Sequence, residues 1–262
     1  DNDYQVLLGN SKDNQQKEKE ILNKFLNKNV DGLIIEPARS AQNYPNINLL
    51  EKFYNNEIPI VILDSKFENN HFSYVWIDDV NGGYQATNYL INMGHKNIGI
   101  IYKGIHLPGV KRFEGYKKAL RDNDLPIYYD NVKEYRISEF ADYEKHRQQI
   151  KKFARELMNS DNPPTAIFCF NDQIAVLAKE IFNSWNMKVP EDISIIGFDN
   201  SELVKLSDIS ITSMAHPKIR AGKQAANIIL DKIVNKRSEN LSEEIKFSSK
   251  LITRSSVSKI KQ

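Results

Sequence analysis

Five apolar stretches of this chain each stop on a carboxylate or an amide. Glu36 follows DGLII, Asp64 follows IPIVIL, Asp78 follows YVWI, Asn171 and Asp172 follow AIFCF, and Asp199 and Asn200 follow ISIIGF. A carboxylate only accepts hydrogen bonds, and its bonds from hydroxyl or amide donors are stronger than neutral ones. Two kinds of chemistry fit. Acceptors gathered at strand ends can hold a polyhydroxylated ligand, or Asp64 or Asp199 could serve as nucleophile or base of an α/β enzyme. No activated nucleophile pair accompanies either residue, so the sequence points away from an enzyme. Plainer roles stand beside these. Asn or Asp at the first position of a helix satisfies orphan backbone N–H groups, and turns enrich both residue types. Capping alone explains one or two polar ends; five suggest a ligand.

Other chemistries lack their residues. Histidines at 71, 95, 106, 146 and 216 show no HxxxH or HExxH spacing, and one cysteine cannot form a thiolate cluster, so no metal is expected. Neither GxxxxGK nor GxGxxG occurs, and no cofactor is expected. Cys169 reads as a small buried thiol within an apolar strand. His95, in MGHKN, fits a helix end, where a cation suits the dipole. The charge runs KDNQQKEKE and KRSENLSEE read as solvated faces.

The elements that must position the polar ends alternate along the chain. Strands are expected over 4–10, 31–37, 59–65, 74–78, 97–102, 166–170 and 193–198, with helical periodicity in KEKEILNKFLNKN, INLLEKFYNN, GGYQATNYLINMG, RFEGYKKALRDN, HRQQIKKFARELMNS and DQIAVLAKEIFNSWN. Strand, helix, strand with short polar joints predicts an α/β fold, a doubly wound parallel sheet with helices on both faces. In such sheets the loops at the carboxyl ends of the strands line the ligand crevice.

Length and composition bound the rest. A chain of 262 residues is natural for two domains, and 40% apolar residues with 12 Phe and 12 Tyr suffice for real cores. A net charge of +2 from 36 basic and 34 acidic residues is too balanced to bind nucleic acid through the overall field. The single cysteine fits a reducing cytoplasm. There is no apolar run of the roughly 18 residues that span a membrane, and the chain opens on polar DNDYQ, so it is cytoplasmic or its leader was removed.

DGLIIEP, IPIVILD, INMGHKNIGII, RFEGYKKAL, PTAIFCFNDQIAVLAKEI, VPEDISIIGFDNSE and SITSMAHP stand in the order and spacing of the effector-binding region of the lactose/galactose-repressor family of transcription regulators. The resemblance spans essentially the whole chain and is specific as a set. DGLIIEPARSA with GVKRFEGY is similar to the arabinose-responsive members, whose DNA reader is a winged helix of another family. The resemblance implies a periplasmic-binding-protein-like fold, two lobes joined by three crossovers with a sugar effector between them. The N-terminal lobe would take 1–76 plus 217–241 and the C-terminal lobe 77–216 plus 242–262, with IKFSSKLITRSSV adding a late strand to the latter.

It also implies the site residues. Arg112 matches the arginine of the family's RxxG motif, and its planar fork can bridge sugar hydroxyls or the ring oxygen; the alternative is a surface charge. Asn171 and Asp199 match acceptors at two strand ends, while Asp172 reads as a helix-start residue. His216 falls at a crossover and could contact the ligand or be an exposed turn histidine. Trp76 offers an indole floor for sugar C–H faces, or fills core. Glu36, Asp64 and Lys103 end strands and could touch hydroxyls, with Glu36 and Lys103 solvated as the alternative. Family members carry a strand and helix before YQVLLGN, so a preceding N-terminal part of the native protein is expected, as is a DNA-binding domain outside this sequence. The implied mechanism is allosteric release of operator DNA by a homodimer. A sugar-binding protein of an uptake system shares the bilobal design and is the rival reading.

Overall fold

A computed structural model of the protein describes residues 4–41, 44–67, 71–138, 140–205, 210–235 and 242–260. The chain forms two compact units. One comprises Asp1–Trp76, Ser138–Phe140 and Ile219–Ile245, the other Ile77–Ile137, Ala141–Lys218 and Lys246–Gln262.

In chain order the first unit contains α1 (Gln15–Asn27), β1 (Leu33–Ile35), α2 (Ile47–Asn55) and β2 (Ile60–Leu63), and β3 (Ser73–Ile77) carries the chain onward. The second unit continues with α3 (Asp79–Asn92), β4 (Ile98–Tyr102), α4 (Leu107–Asp122), β5 (Val132–Glu134), α5 (Tyr143–Met158), β6 (Ala166–Cys169), α6 (Asp172–Ser184), β7 (Ser194–Asp199) and β8 (Thr212–Ala215). The chain then returns through α7 (Lys218–Val234), and β9 (Glu244–Phe247) and β10 (Lys250–Ile252) follow. The sheets run β1-β2-β3-β9 and β10-β8-β7-β6-β4-β5. All pairs from β5 across to β8 are parallel; β10 alone is antiparallel there, with Leu251 opposite Met214.

Burial explains the apolar runs. In β6, Ile167 and Cys169 join Ile195 under α5 and α6, whereas Ala166 and Phe168 join Ile196 and Phe198 under α3 and α4. Both faces of these strands are covered, so no polar alternation survives in their sequence. The first unit packs Leu22, Leu50 and Phe53 of its helices on Leu33, Ile35, Ile60 and Ile62.

Several expectations change. Residues 4–10 form no strand, and Val6 and Leu8 are exposed: an apolar run becomes a strand only where a partner takes up its backbone groups, and no described strand pairs with it. The expected single late strand is two, β9 beside β3 and β10 beside β8, because the pairing partner changes across 248–249, which lie in neither strand. His95 stands just past the end of α3, as expected, but not in the setting of a charged end group. It is buried, with Nδ1 at 2.9 Å from Thr165 Oγ1 and Nε2 at 3.2 Å from the Ser258 carbonyl, and burial lowers its pKa against the opposing pull of that carbonyl. The KDNQQKEKE run is not wholly solvated, since Asp13 and Glu18 are buried. Of KRSENLSEE, residues 236–241 lie outside the described residues.

Candidate functional site

The second unit builds its polar centre on two helices that touch backbone to backbone. A Cβ on Gly115 would stand 2.1 Å from the Val80 carbonyl of α3, and one on Gly83 would stand 2.2 Å from the Arg112 carbonyl of α4. Only glycine allows so close an approach. Asp78 caps α3, accepting from Asn81 N at 3.1 Å, which leaves Asp79 in the first turn facing α4. Arg112, three residues before Gly115, then reaches across: its Nε donates to Asp79 Oδ1 at 2.8 Å and Nη1 donates to the Phe170 carbonyl at 2.7 Å. Its guanidinium carbon lies 3.5 Å from the Phe198 ring centroid and 4.7 Å from that of Phe170. Arg112 is 4% exposed and Asp79 5%, so the surface-charge alternative for Arg112 is excluded. Two of the five donors of an arginine fork are committed to protein acceptors.

Neighbouring strand ends add an amide and a carboxylate. Asn171 caps α6, its side-chain oxygen accepting from Ile174 N at 3.1 Å, which leaves the amide NH₂ as a donor. Asp199 ends β7 at φ 98° and Asn200 follows at φ 48°, both in the region that non-glycine residues rarely adopt. Strain of this kind persists where the surroundings over-determine it and clusters at functional sites. The surroundings are visible: Asn200 N donates to Ser213 Oγ at 3.0 Å, and Arg254 donates to the Asn200 side-chain oxygen. Lys218 Nζ stands 3.9 Å from Asp199 Oδ2.

Asp172 does more than start a helix. Its Oδ2 accepts from Ser201 N and its Oδ1 from Ser213 Oγ, both at 2.6 Å, and Gly197 makes room, since a Cβ there would stand 2.5 Å from Oδ1. Burial pushes the Asp172 pKa up to about 6, opposed by these two donors and assisted weakly by the Asp199 charge. Lys103 follows β4 and is buried, with Nζ 5.8 Å from the Phe170 ring; its solvated alternative is excluded. His216 follows β8 and is half-buried. The structure therefore places Lys103, Arg112, Asn171, Asp199 and His216 at or beside the carboxyl ends of β4, β6, β7 and β8, with Arg112 arriving from α4.

The three remaining candidates belong to the first unit. Glu36 is exposed after β1, and Asp64 follows β2 at φ 51°, its N–H donating to the Val75 carbonyl. Trp76 packs part of its ring on the first unit's core and donates Nε1–H to Glu244 Oε1 at 3.0 Å. Glu18 was missed: its carboxylate accepts from Ala38 N at 2.7 Å, from Asn46 Nδ2 at 2.8 Å and from the Tyr44 hydroxyl, pinning the loop after β1. Asp79, Phe170 and Phe198 were also missed as parts of the arginine's setting. The doublet Asp78-Asp79 was the available signal, because one acid suffices as cap. Among the described residues no group of three or more His, Cys, Asp or Glu could hold a metal, and no helix is long and apolar enough to cross a membrane.

The second unit thus sets a buried arginine, held between two aromatic rings, beside the polar carboxyl ends of its parallel strands. Residues 87–257 match the periplasmic binding protein-like domain family. The arabinose metabolism transcriptional repressor of Geobacillus stearothermophilus is 33% identical over 259 residues, covering 98% of this chain and 69% of the relative, and its namesake in Halalkalibacterium halodurans is 30% identical over 261 residues, covering 98% and 68%. A LacI family regulator of Enterococcus faecium, solved with bound ribose, superposes with a TM-score of 0.77 at 27% identity over 92% of this chain and 84% of that one. The chain belongs to the periplasmic binding protein-like family and is an effector-binding domain of the lactose/galactose-repressor type.

Proposed function

We propose that this domain senses a sugar, L-arabinose, for a bacterial repressor that releases operator DNA when the sugar binds. The observation that carries the reading is Arg112, buried and held by Asp79 and the Phe170 carbonyl with three donors left over. Vicinal hydroxyls present acceptors at the spacing a planar fork can span, and Asn171, Asp199, His216 and Lys103 would complete the set, with Phe170 as apolar surface. In the first unit the proposed contacts are Glu36, Asp64 and Trp76. Arabinose is favoured because two relatives bear that sugar in their names, and the ribose complex of the Enterococcus faecium regulator supports a pentose.

In this reading the protein works in the cytoplasm as a homodimer, returns its sugar unchanged and contacts DNA through a domain outside this chain. Coupling of about 1 to 3 kcal/mol, roughly 5- to 150-fold, suffices to switch operator occupancy. Titration calorimetry against L-arabinose, D-xylose, D-ribose and D-galactose tests the choice of effector. Saturable heat from arabinose alone is expected; binding of another member only, or of none by a folded protein, overturns the assignment.

A further inference from the structure

Among the described residues the second unit buries two carboxylates, Asp79, which holds Arg112, and Asp172, whose bonds converge on the segment that presents Asp199. One oxygen takes Ser201 N–H directly. The other takes the Ser213 hydroxyl, whose oxygen in turn accepts from Asn200 N–H. Two consecutive amides after Asp199 thus hang on this carboxylate, one directly and one through a serine, at the point where the backbone holds φ of 98° and 48°. The sequence keeps space for it, as Gly197 has no side chain to displace Oδ1. The same residue opens α6 directly after Asn171, and Ser213 lies on the strand that leads to His216.

We propose that Asp172 is a positioning residue, whose ionised carboxylate sets the 199–201 turn for sugar binding and makes effector affinity fall when it takes up a proton. The proposal rests on the sugar-binding reading above. A carboxylate accepts both donors at once, whereas a carboxylic acid presents a hydroxyl to one of two N–H or O–H groups already pointing at it, and one bond is lost. The groups that bear on Asp172 are few. Asp199 on β7 raises its pKa and is itself paired with Lys218; Cys169 on β6 lies within its field; Arg254 meets it only through Asn200; β8 contributes no titratable side chain. With the carboxyl titrating at about 6, it passes from mostly ionised at pH 7.5 to mostly protonated at pH 5.

The test pairs a ligand-dependent with a ligand-free readout. L-Arabinose is titrated into wild type, Asp172→Asn and Ser213→Ala between pH 5 and 7.5, and the Ser201 amide is followed by NMR in ¹⁵N-serine protein without sugar. The expected result is a roughly tenfold loss of wild-type affinity towards pH 5, weak and pH-independent binding by Asp172→Asn, an intermediate loss in Ser213→Ala, and a Ser201 amide shift that titrates near pH 6 only where Asp172 is present. Equal affinity across the pH range with unaltered binding by Asp172→Asn overturns the proposal, as does a Ser201 amide that does not titrate. If no sugar binds while the amide titrates, the hold on the turn stands and it is the sugar reading that fails.

Discussion

Replacing Gly115 by alanine tests whether the helix contact builds the arginine site. The added methyl would sit 2.1 Å from the Val80 carbonyl and 2.6 Å from Tyr84 N, both backbone atoms that cannot rotate away. Restoring ordinary contact at about 3.4 Å requires α4 to recede from α3 by roughly 1.3 Å. A rigid shift of that size would stretch the 2.8 Å bond from Arg112 to Asp79 to about 4 Å, past the range of a hydrogen bond. Overpacking costs about 1 to 3 kcal/mol and a buried pair that is broken about 3 to 5; partial relaxation places the expected loss near 3 kcal/mol. At roughly 2 to 4 °C per kcal/mol for a chain of this size, the melting temperature should fall by about 6 to 12 °C. Calorimetric melting gives the loss, and a cycle with Asp79→Ala shows where it comes from: the double variant should lose at least about 1 kcal/mol less than the sum of the singles, because both remove the same bond. A Gly115→Ala protein within about 0.5 kcal/mol of wild type, or strictly additive with Asp79→Ala, would refute the reasoning.

Four further outcomes follow from the same geometry. Arg112→Lys keeps the charge but can satisfy only one of Asp79 and the Phe170 carbonyl, so stability should fall by about 1 to 2 kcal/mol in denaturant melts; unchanged stability would count against the fork. Burial lowers the His95 pKa below its ordinary 6.5, so the unfolded chain binds the extra proton and stability is lost as pH falls through that value and below; His95→Gln should flatten this slope in pH-dependent melts. Asp172 has the opposite sign, its pKa standing above the ordinary 3.8, so its contribution is full below 3.8 and about 3 kcal/mol of it is lost as pH rises to about 6, a dependence that Asp172→Asn should remove. Cys169 is fully buried, and burial followed by the Asp172 charge raises its pKa well above the usual thiol range, so a thiol reagent should label it only after denaturation.

What the sequence disclosed depended on whether a residue's fate was local. Strands such as 166–170 were legible because cover on both faces makes them apolar throughout, and a capping role was open to Asn171 because capping acts within three residues. Glu18, Asp13 and His95 were misread for the complementary reason: each is buried by segments 20 or more residues away, Glu18 by Ala38 and Tyr44, Asp13 beside Arg39, and His95 by Thr165 and Ser258. Residues 4–10 illustrate the same limit for a strand, since an apolar run does not carry its partner. Arg112 was legible as a position in the RxxG motif, but its clamp joins the start of α3 at Asp79 to the ends of β6 and β7 at Phe170 and Phe198 and could only be seen once the packing of these elements was known. The arrangement of Asp172 under the Asp199 turn was hidden likewise, although Gly197 in GFD was its trace.

The most direct measurement of the central claim is calorimetric titration of L-arabinose into wild type and Arg112→Gln at neutral pH, with the fold of each checked by circular dichroism. Saturable binding by wild type, weakened at least a hundredfold in a folded Arg112→Gln, is the predicted result. Undiminished binding by the variant would contradict the assignment of the sugar to the Arg112 cluster.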